Sequence, residues 1–233
     1  MPSFLNSKNS EQEESHWLSV SDLMAGLMMV FLFIAVALMR QAFVERDKIK
    51  EIAVAYQENQ VAIYDALMYE FEQNLLGWNA DIDKNSLTFT FQSPDVLFAQ
   101  GDTTLNNEYK TLLNDFFPRY LNVLEPFFDS VNEVRIEGHT SSVWNQSTTP
   151  TEAYFRNMKL SQARTLSVLQ YVYVLAEKAN KQDWVKRRLA AVGLSSSRII
   201  EVNGKEDQDR SRRVTFRVIT NADIQMKQIL DTQ

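Results

Sequence analysis

The chain has 233 residues, a formal net charge of −6 and no cysteine. The acidic balance, without any long run of Lys or Arg, excludes a general nucleic-acid binder, and the missing cysteines exclude a disulfide framework and a thiolate metal site. Two histidines, His16 and His139, are too few for a typical zinc site, and the length beyond a membrane segment suits one globular domain.

In chain order, residues 1–16 form a polar tail and residues 17–39, Trp17 to Met39, form an almost wholly apolar stretch interrupted by Asp22. At about 1.5 Å per helical residue that stretch spans a hydrocarbon core of roughly 30 Å. A carboxylate at mid-membrane depth costs roughly 2.5–3.5 kcal/mol on insertion scales, so a retained one is expected to have a function. Helical spacing puts Ser15, Ser19, Asp22, Ala25, Gly26, Met29 and Phe33 on one face, where Ser19, Ala25 and Gly26 let a second helix approach closely. The plainer alternative is a simple anchor with Asp22 snorkelling to interfacial water. Ala35-Val36-Ala37 fits a signal-peptidase site, but the leader carries only Lys8 beside Glu11, Glu13 and Glu14, so an uncleaved anchor is expected. Arg40, Arg46, Lys48 and Lys50 follow the span and, by the positive-inside rule alone, would keep the C-terminal part in the cytoplasm.

Residues 40–77 read as a connecting amphipathic helix, with Ile49, Ala53, Tyr56, Gln60, Ile63, Leu67 and Phe71 at three- and four-residue spacing and Gly77 as the stop. Tyr56 and Gln60 interrupt that seam, which allows self-pairing but not a strong coiled coil. From residue 78 to 233 strand and helix signals alternate. Leu87 to Phe91, Val131 to Ile136 and Arg213 to Ile219 alternate with period two. Helical patterns run from about Asn106 to Leu124, bent at Pro118, from about Tyr154 to Ala176, and from Asp183 to Val192. The expected fold is α+β, a mixed sheet with helices packed on it.

Four segments carry a family resemblance: Phe98 to Leu105 (FAQGDTTL), Val134 to Thr140 (VRIEGHT), Asn157 to Arg164 (NMKLSQAR) and Arg212 to Phe216 (RRVTF). In that order they resemble the signatures of OmpA-like peptidoglycan-binding domains, over about Leu87 to Thr220. The resemblance implies that Thr140, Asn157, Leu160, Ser161 and Arg164 bind the peptide stem of the cell wall, Arg164 gripping the free carboxylate of a diaminopimelate residue. A guanidinium fork suits that task as lysine does not. The alternative for Arg164 is a structural arginine satisfied by carbonyls or a carboxylate. The family's aspartate after Gly-His-Thr, which meets the ligand's amine, is replaced here by Ser141 and Ser142. His139 lacks any nameable nucleophile and carboxylate partner, so it is expected to be a packed loop residue and not a catalyst.

The membrane aspartate, connecting helix and wall-binding domain together resemble the B subunits of ion-driven stator complexes (MotB-like). Ser19 to Leu32, Gly138 to Ser142 and Tyr154 to Met158 are most similar to the B subunits of Zorya anti-phage defence systems. That resemblance implies a non-enzymatic, ion-translocating motor subunit in the inner membrane, N-terminus cytoplasmic and C-terminal domain periplasmic. Long domains are translocated largely regardless of flanking charge. It also implies a self-dimer inside a ring of multi-span A subunits (MotA/ZorA-like), five copies around two of this chain. No cofactor or metal is implied beyond the translocated H+ or Na+, carried by Asp22. The other readings are a flagellar or gliding stator subunit and a passive wall tether, which needs no packed face around Asp22.

Overall fold

The computed structural model describes the backbone of residues 7–92, 98 and 101–231, and the side chains of these except 7–16, 18, 19, 225, 226 and 229–231. The chain divides into two compact units, residues 1–51 and 52–233. Helix α1, Ser7–Leu75, supplies the described part of the first. It holds the one helix among the described residues that is long and apolar enough to cross a membrane. The apolar side chains from Val20 to Met39 are exposed, as expected of a surface whose solvent is lipid.

The second unit is built on a five-stranded sheet, order β1-β2-β7-β3-β4, from β1 (Ala80–Asp83), β2 (Thr88–Gln92), β3 (Val131–His139), β4 (Leu189–Ser195) and β7 (Arg213–Thr220). A separate two-stranded hairpin joins β5 (Glu201–Val202) to β6 (Lys205–Glu206). β3 and β4 are parallel and the other neighbours in the large sheet antiparallel, so the sheet is mixed, as expected. The helices are α2 (Asn107–Leu124), α3 (Pro150–Lys178), α4 (Gln182–Arg188), α5 (Gln208–Ser211) and α6 (Asn221–Asp231). α2 is capped by Asn106, whose side chain accepts from Tyr109 N at 2.7 Å, and it continues through Pro118.

The core is aromatic. Phe116 of α2 lies with ring centroids 4.7 Å from Phe89 and 5.0 Å from Phe91 on β2, 5.2 Å from Phe216 on β7 and 5.4 Å from Phe71 on α1. Ile63, Leu67 and Phe71 are fully buried there, so the C-terminal part of α1 belongs to this core and those three residues are not available for pairing with a second copy. Arg119 clamps the same stretch, its Nε donating to Glu70 Oε1 at 2.6 Å and its Nη2 to Asn74 Oδ1 at 3.0 Å. The two polar residues that interrupt the seam face the same unit: Gln60 Nε2 donates to the carbonyl oxygens of Lys84 and Asn85 in the β1–β2 turn. Tyr56 is held above its ordinary pKa, first by burial and then by Asp223.

Two sequence readings are corrected. The helix expected from Asp183 to Val192 ends at Arg188, and Leu189–Ser195 is β4, paired parallel to β3. Leu189-Ala190-Ala191-Val192 continues a charged amphipathic run in good helix formers, but tertiary pairing overrides that propensity. The helix expected from Tyr154 starts at Pro150, because Thr149 and Glu152 form a capping box with proline at the first position.

Candidate functional site

Asp22, Ala25 and Gly26 lie on α1 within the exposed apolar stretch, and a Cβ added at Gly26 would meet nothing within 4 Å. At Gly26 the helix surface is therefore open. The side chain of Ser19, expected on the same face, lies outside the described residues.

The residues for which the resemblance implies wall binding converge where α3 crosses the C-terminal ends of β3 and β4. The crossing is close because Gly138 and Gly193 lack side chains. A Cβ at Gly138 would sit 2.8 Å from Ser161 O, and one at Gly193 would collide with the Gln162 backbone. Gln162 then seals the crossing, accepting from Gly193 N at 2.7 Å and donating to Ala191 O at 3.2 Å. Ser195 ends β4 with φ +50, a conformation unfavourable for a side chain with Cβ, and is held there on several sides. Its N donates to Ser161 Oγ at 3.1 Å, its Oγ to Tyr154 O at 2.8 Å, and its carbonyl accepts from Thr140 N at 2.9 Å.

A cavity of about 270 Å³ opens beside this crossing. Of the five residues that the resemblance singles out, Thr140, Asn157, Leu160 and Arg164 line it, while Ser161 is not among its lining residues and instead ties α3 to β4. Arg164 is buried: its Nε donates to Asp102 O at 2.9 Å and its guanidinium carbon lies 4.8 Å from the Phe98 ring centroid. Arg164 is thus anchored to the backbone through Nε and also forms part of the cavity wall. Asn157 Nδ2 donates to Ser141 O at 3.1 Å, fixing the loop that would meet a ligand. Gly101, Val143, Trp144 and Arg212 also line the cavity and were not singled out from sequence as site residues. Of these, Gly101 and Arg212 lay in recognisable motifs, FAQGDTTL and RRVTF.

Ser142, beside the serine that replaces the family's aspartate, is bound through its N, at 2.8 Å, and its Oγ to the Glu206 carboxylate at the end of the β5–β6 hairpin. His139 is packed, with Nε2 3.5 Å from Glu137 Oε2, and both residues are buried. Burial pushes the imidazole below its ordinary pKa, outweighing the Glu137 hydrogen bond that would raise it. Burial alone would raise the Glu137 carboxyl, but the hydrogen bond from His139 and the charge of Arg198 outweigh it and hold that carboxyl below its ordinary value. The pair is therefore a neutral imidazole against a carboxylate.

Residues 97–213 match the OmpA family. The Zorya protein ZorB of Escherichia coli is 54% identical over 221 residues, covering 94% of each chain. Among solved structures, a MotB-like protein of Desulfovibrio vulgaris is 21% identical, covering 73% of this chain and 94% of that one, with a TM-score of 0.49. The periplasmic domain of Helicobacter pylori MotB is 14% identical, covering 66% of this chain and 89% of its own, with a TM-score of 0.42.

Proposed function

The chain belongs to the ZorB proteins and carries a domain of the OmpA family, and on that premise we propose that it is the wall-anchored B subunit of an ion-driven Zorya motor. Residues 1–16 lie in the cytoplasm, residues 17–39 cross the inner membrane once, and the rest is periplasmic, Ile63, Leu67 and Phe71 being part of the domain's own core. Two copies sit inside a ring of multi-span A subunits, five around two. The domain holds the peptide stem of peptidoglycan through Thr140, Leu160 and Arg164, with Asn157 and Ser161 fixing the geometry.

Asp22 carries the function. In a low-dielectric ring the bare carboxylate is disfavoured, so the group takes up a proton or coordinates Na+; water reaching it from the cytoplasmic side then favours release. Two such carboxylates loaded alternately against a surrounding ring give stepwise rotation. No bond of a substrate is made or broken, so the chain acts as an ion-translocating subunit and not an enzyme. The observation that carries this reading is a carboxylate beside Ala25 and Gly26 within the single membrane-competent helix among the described residues.

Asp22→Asn keeps size and hydrogen bonding but removes the titratable charge. We expect the variant to co-purify with a multi-span partner at wild-type yield and to give no protection against phage. Full protection by the variant would refute the ion-carrier role.

A further inference from the structure

Alternation along the strands turns Val134 and Ile136 of β3 and Phe216 and Val218 of β7 into the core, and leaves Glu133, Arg135 and Arg217 on the opposite face of the sheet. A second cavity, of about 430 Å³, opens on that face, whereas α3 meets the sheet from the other side at Gly138. Four cations line it, Arg135, Arg198, Arg217 and Lys227, against two carboxylates, Glu133 and Asp223. Both carboxylates are engaged. Glu133 accepts from Arg135 Nε at 2.7 Å and Nη2 at 3.2 Å, and Asp223 Oδ2 accepts from Thr220 N at 2.7 Å and Oγ1 at 2.9 Å.

Arg135 and Arg217 stand directly opposite each other in the antiparallel β3–β7 register, and like charges so placed disfavour the pairing. Glu133 answers Arg135. Arg217 forms no ion pair with a described residue, and its Nε is buried without a hydrogen-bond partner. The carboxylates whose charge reaches it are occupied elsewhere, Asp83 with Ser86 and Glu137 with His139 and Arg198. A guanidinium that merely faced water would have that nitrogen solvated, so the buried N–H is incomplete without an acceptor from outside the chain.

The cations reach the cavity from the sheet, from the loop after β4 and from α6. A carboxylate presents two oxygens in one plane. A phosphate group presents three terminal oxygens and a charge of about −1.5 to −2, and so can engage donors arriving from several directions. We propose that this cavity is a phosphate-binding site, separate from the wall-binding cavity, in which Arg217 is the central donor and Arg198 and Lys227 complete the charge.

The test is calorimetric titration of inorganic phosphate into the full chain in phosphatidylcholine nanodiscs, near neutral pH and at constant ionic strength. We expect a Kd of about 1 mM or tighter. Arg217→Gln should weaken binding about tenfold and Lys227→Gln, at an exposed helix position, about two- to fivefold, while Arg164→Gln in the other cavity leaves it unchanged. Phosphatidic acid added to the disc distinguishes the source: a raised apparent Kd for phosphate means that a lipid headgroup fills the site, and an unchanged one means a soluble phosphate compound. Either result carries the inference. No binding up to about 10 mM phosphate overturns it, as does equal affinity for glutarate, a dicarboxylate of like charge, or binding that neither Arg217→Gln nor Lys227→Gln weakens. Should Arg217→Gln lose the near-ultraviolet dichroism of the folded domain, Lys227→Gln and the wild-type comparison with glutarate decide the question.

Discussion

Phe71→Ala separates a helix that merely connects from a helix that is part of the domain. Phe71 is fully buried, its ring centroid 5.4 Å from both Phe89 and Phe116 and 5.8 Å from Trp78, with the Arg119 guanidinium carbon 4.8 Å away. Truncation of a buried phenylalanine to alanine costs about 3–5 kcal/mol, from lost transfer energy together with the cavity left behind. For a unit of this size, roughly 150–250 residues, each kcal/mol moves the midpoint by about 2–4 °C, so the expected fall is about 6–20 °C. Tyr69, two residues earlier and 92% exposed, is the internal control. Tyr69→Ala is expected to stay within about 0.5 kcal/mol of wild type. Near-ultraviolet circular dichroism of the full chain in detergent reports the aromatic core directly and is insensitive to membrane-helix content that survives heating. A midpoint for Phe71→Ala within about 2 °C of Tyr69→Ala, less than 1 kcal/mol, would refute the assignment of this stretch to the core.

Arg164→Lys keeps the charge but loses the fork and the Nε bond to Asp102 O, so binding to sacculi should fall by about 10- to 100-fold, the weight of charged hydrogen bonds, with a loss of stability of about 1–3 kcal/mol from the buried contact; unchanged binding would return Arg164 to a structural role. Gly193→Ala drives a Cβ into the Gln162 backbone and should destabilise by about 1–3 kcal/mol in denaturant titration, because neither the helix nor the strand can move aside independently. His139, facing Glu137, Arg198 and Arg213, is held below its ordinary value of 6.5, so the unfolded chain takes up a proton there before the folded one does. Stability from this group is present above pH 6.5 and is lost as the pH falls below it; His139→Gln should flatten the change in midpoint between pH 7.5 and 5.5, and an unchanged slope would exclude His139 as its source. Gly26→Leu should reduce co-purification with the multi-span partner, since its side chain would fill a surface now open to close approach.

The parts of the fold legible in the sequence are those whose burial leaves a periodic trace. β2 and β7 alternate Phe89, Phe91 and Val214, Phe216, Val218 toward the core, and period two announces them. β1 has one buried residue, Ile82, between two aspartates, and two apolar residues in a strand of four, Ala80 and Ile82, make too short an alternation to stand out. β4 was misread because what seats it on α3 is an absence, the missing side chain of Gly193, and close backbone approach leaves no hydrophobic signal. Tyr56 and Gln60 looked like defects in a self-pairing seam. Both serve the domain, Gln60 by satisfying turn carbonyls and Tyr56 through Asp223, far away in sequence. The contribution of Glu206 could not be read at all, since it depends on a hairpin of two-residue strands bringing a carboxylate across to Ser142.

The Asn157-x-x-Leu160-Ser161-x-x-Arg164 spacing places all four residues on one face of α3, which invites the assumption that all four touch a ligand. In the structure they divide by depth. Asn157 and Ser161 are spent inward, one on the Ser141 carbonyl and the other on the Ser195 amide, so that the loop after β3 and the end of β4 are both registered against the same helix. Leu160 stays half-buried in the cavity wall, and Arg164 is anchored at Nε to Asp102 O while it lines the cavity. A guanidinium held by its own backbone contact loses less freedom when a carboxylate arrives than one that must be ordered by the ligand. This division predicts different signatures for the inward and outward residues. Ser161→Ala should lower stability by about 1 kcal/mol or more, through a buried Ser195 N–H left without its acceptor, and weaken wall binding only as far as the Ser195 turn relaxes. Leu160→Ala should weaken wall binding with little change in the unfolding midpoint, because that side chain faces the cavity and not the sheet. Equal effects of the two substitutions on both measurements would mean that the face acts as a single surface and that the division by depth is wrong.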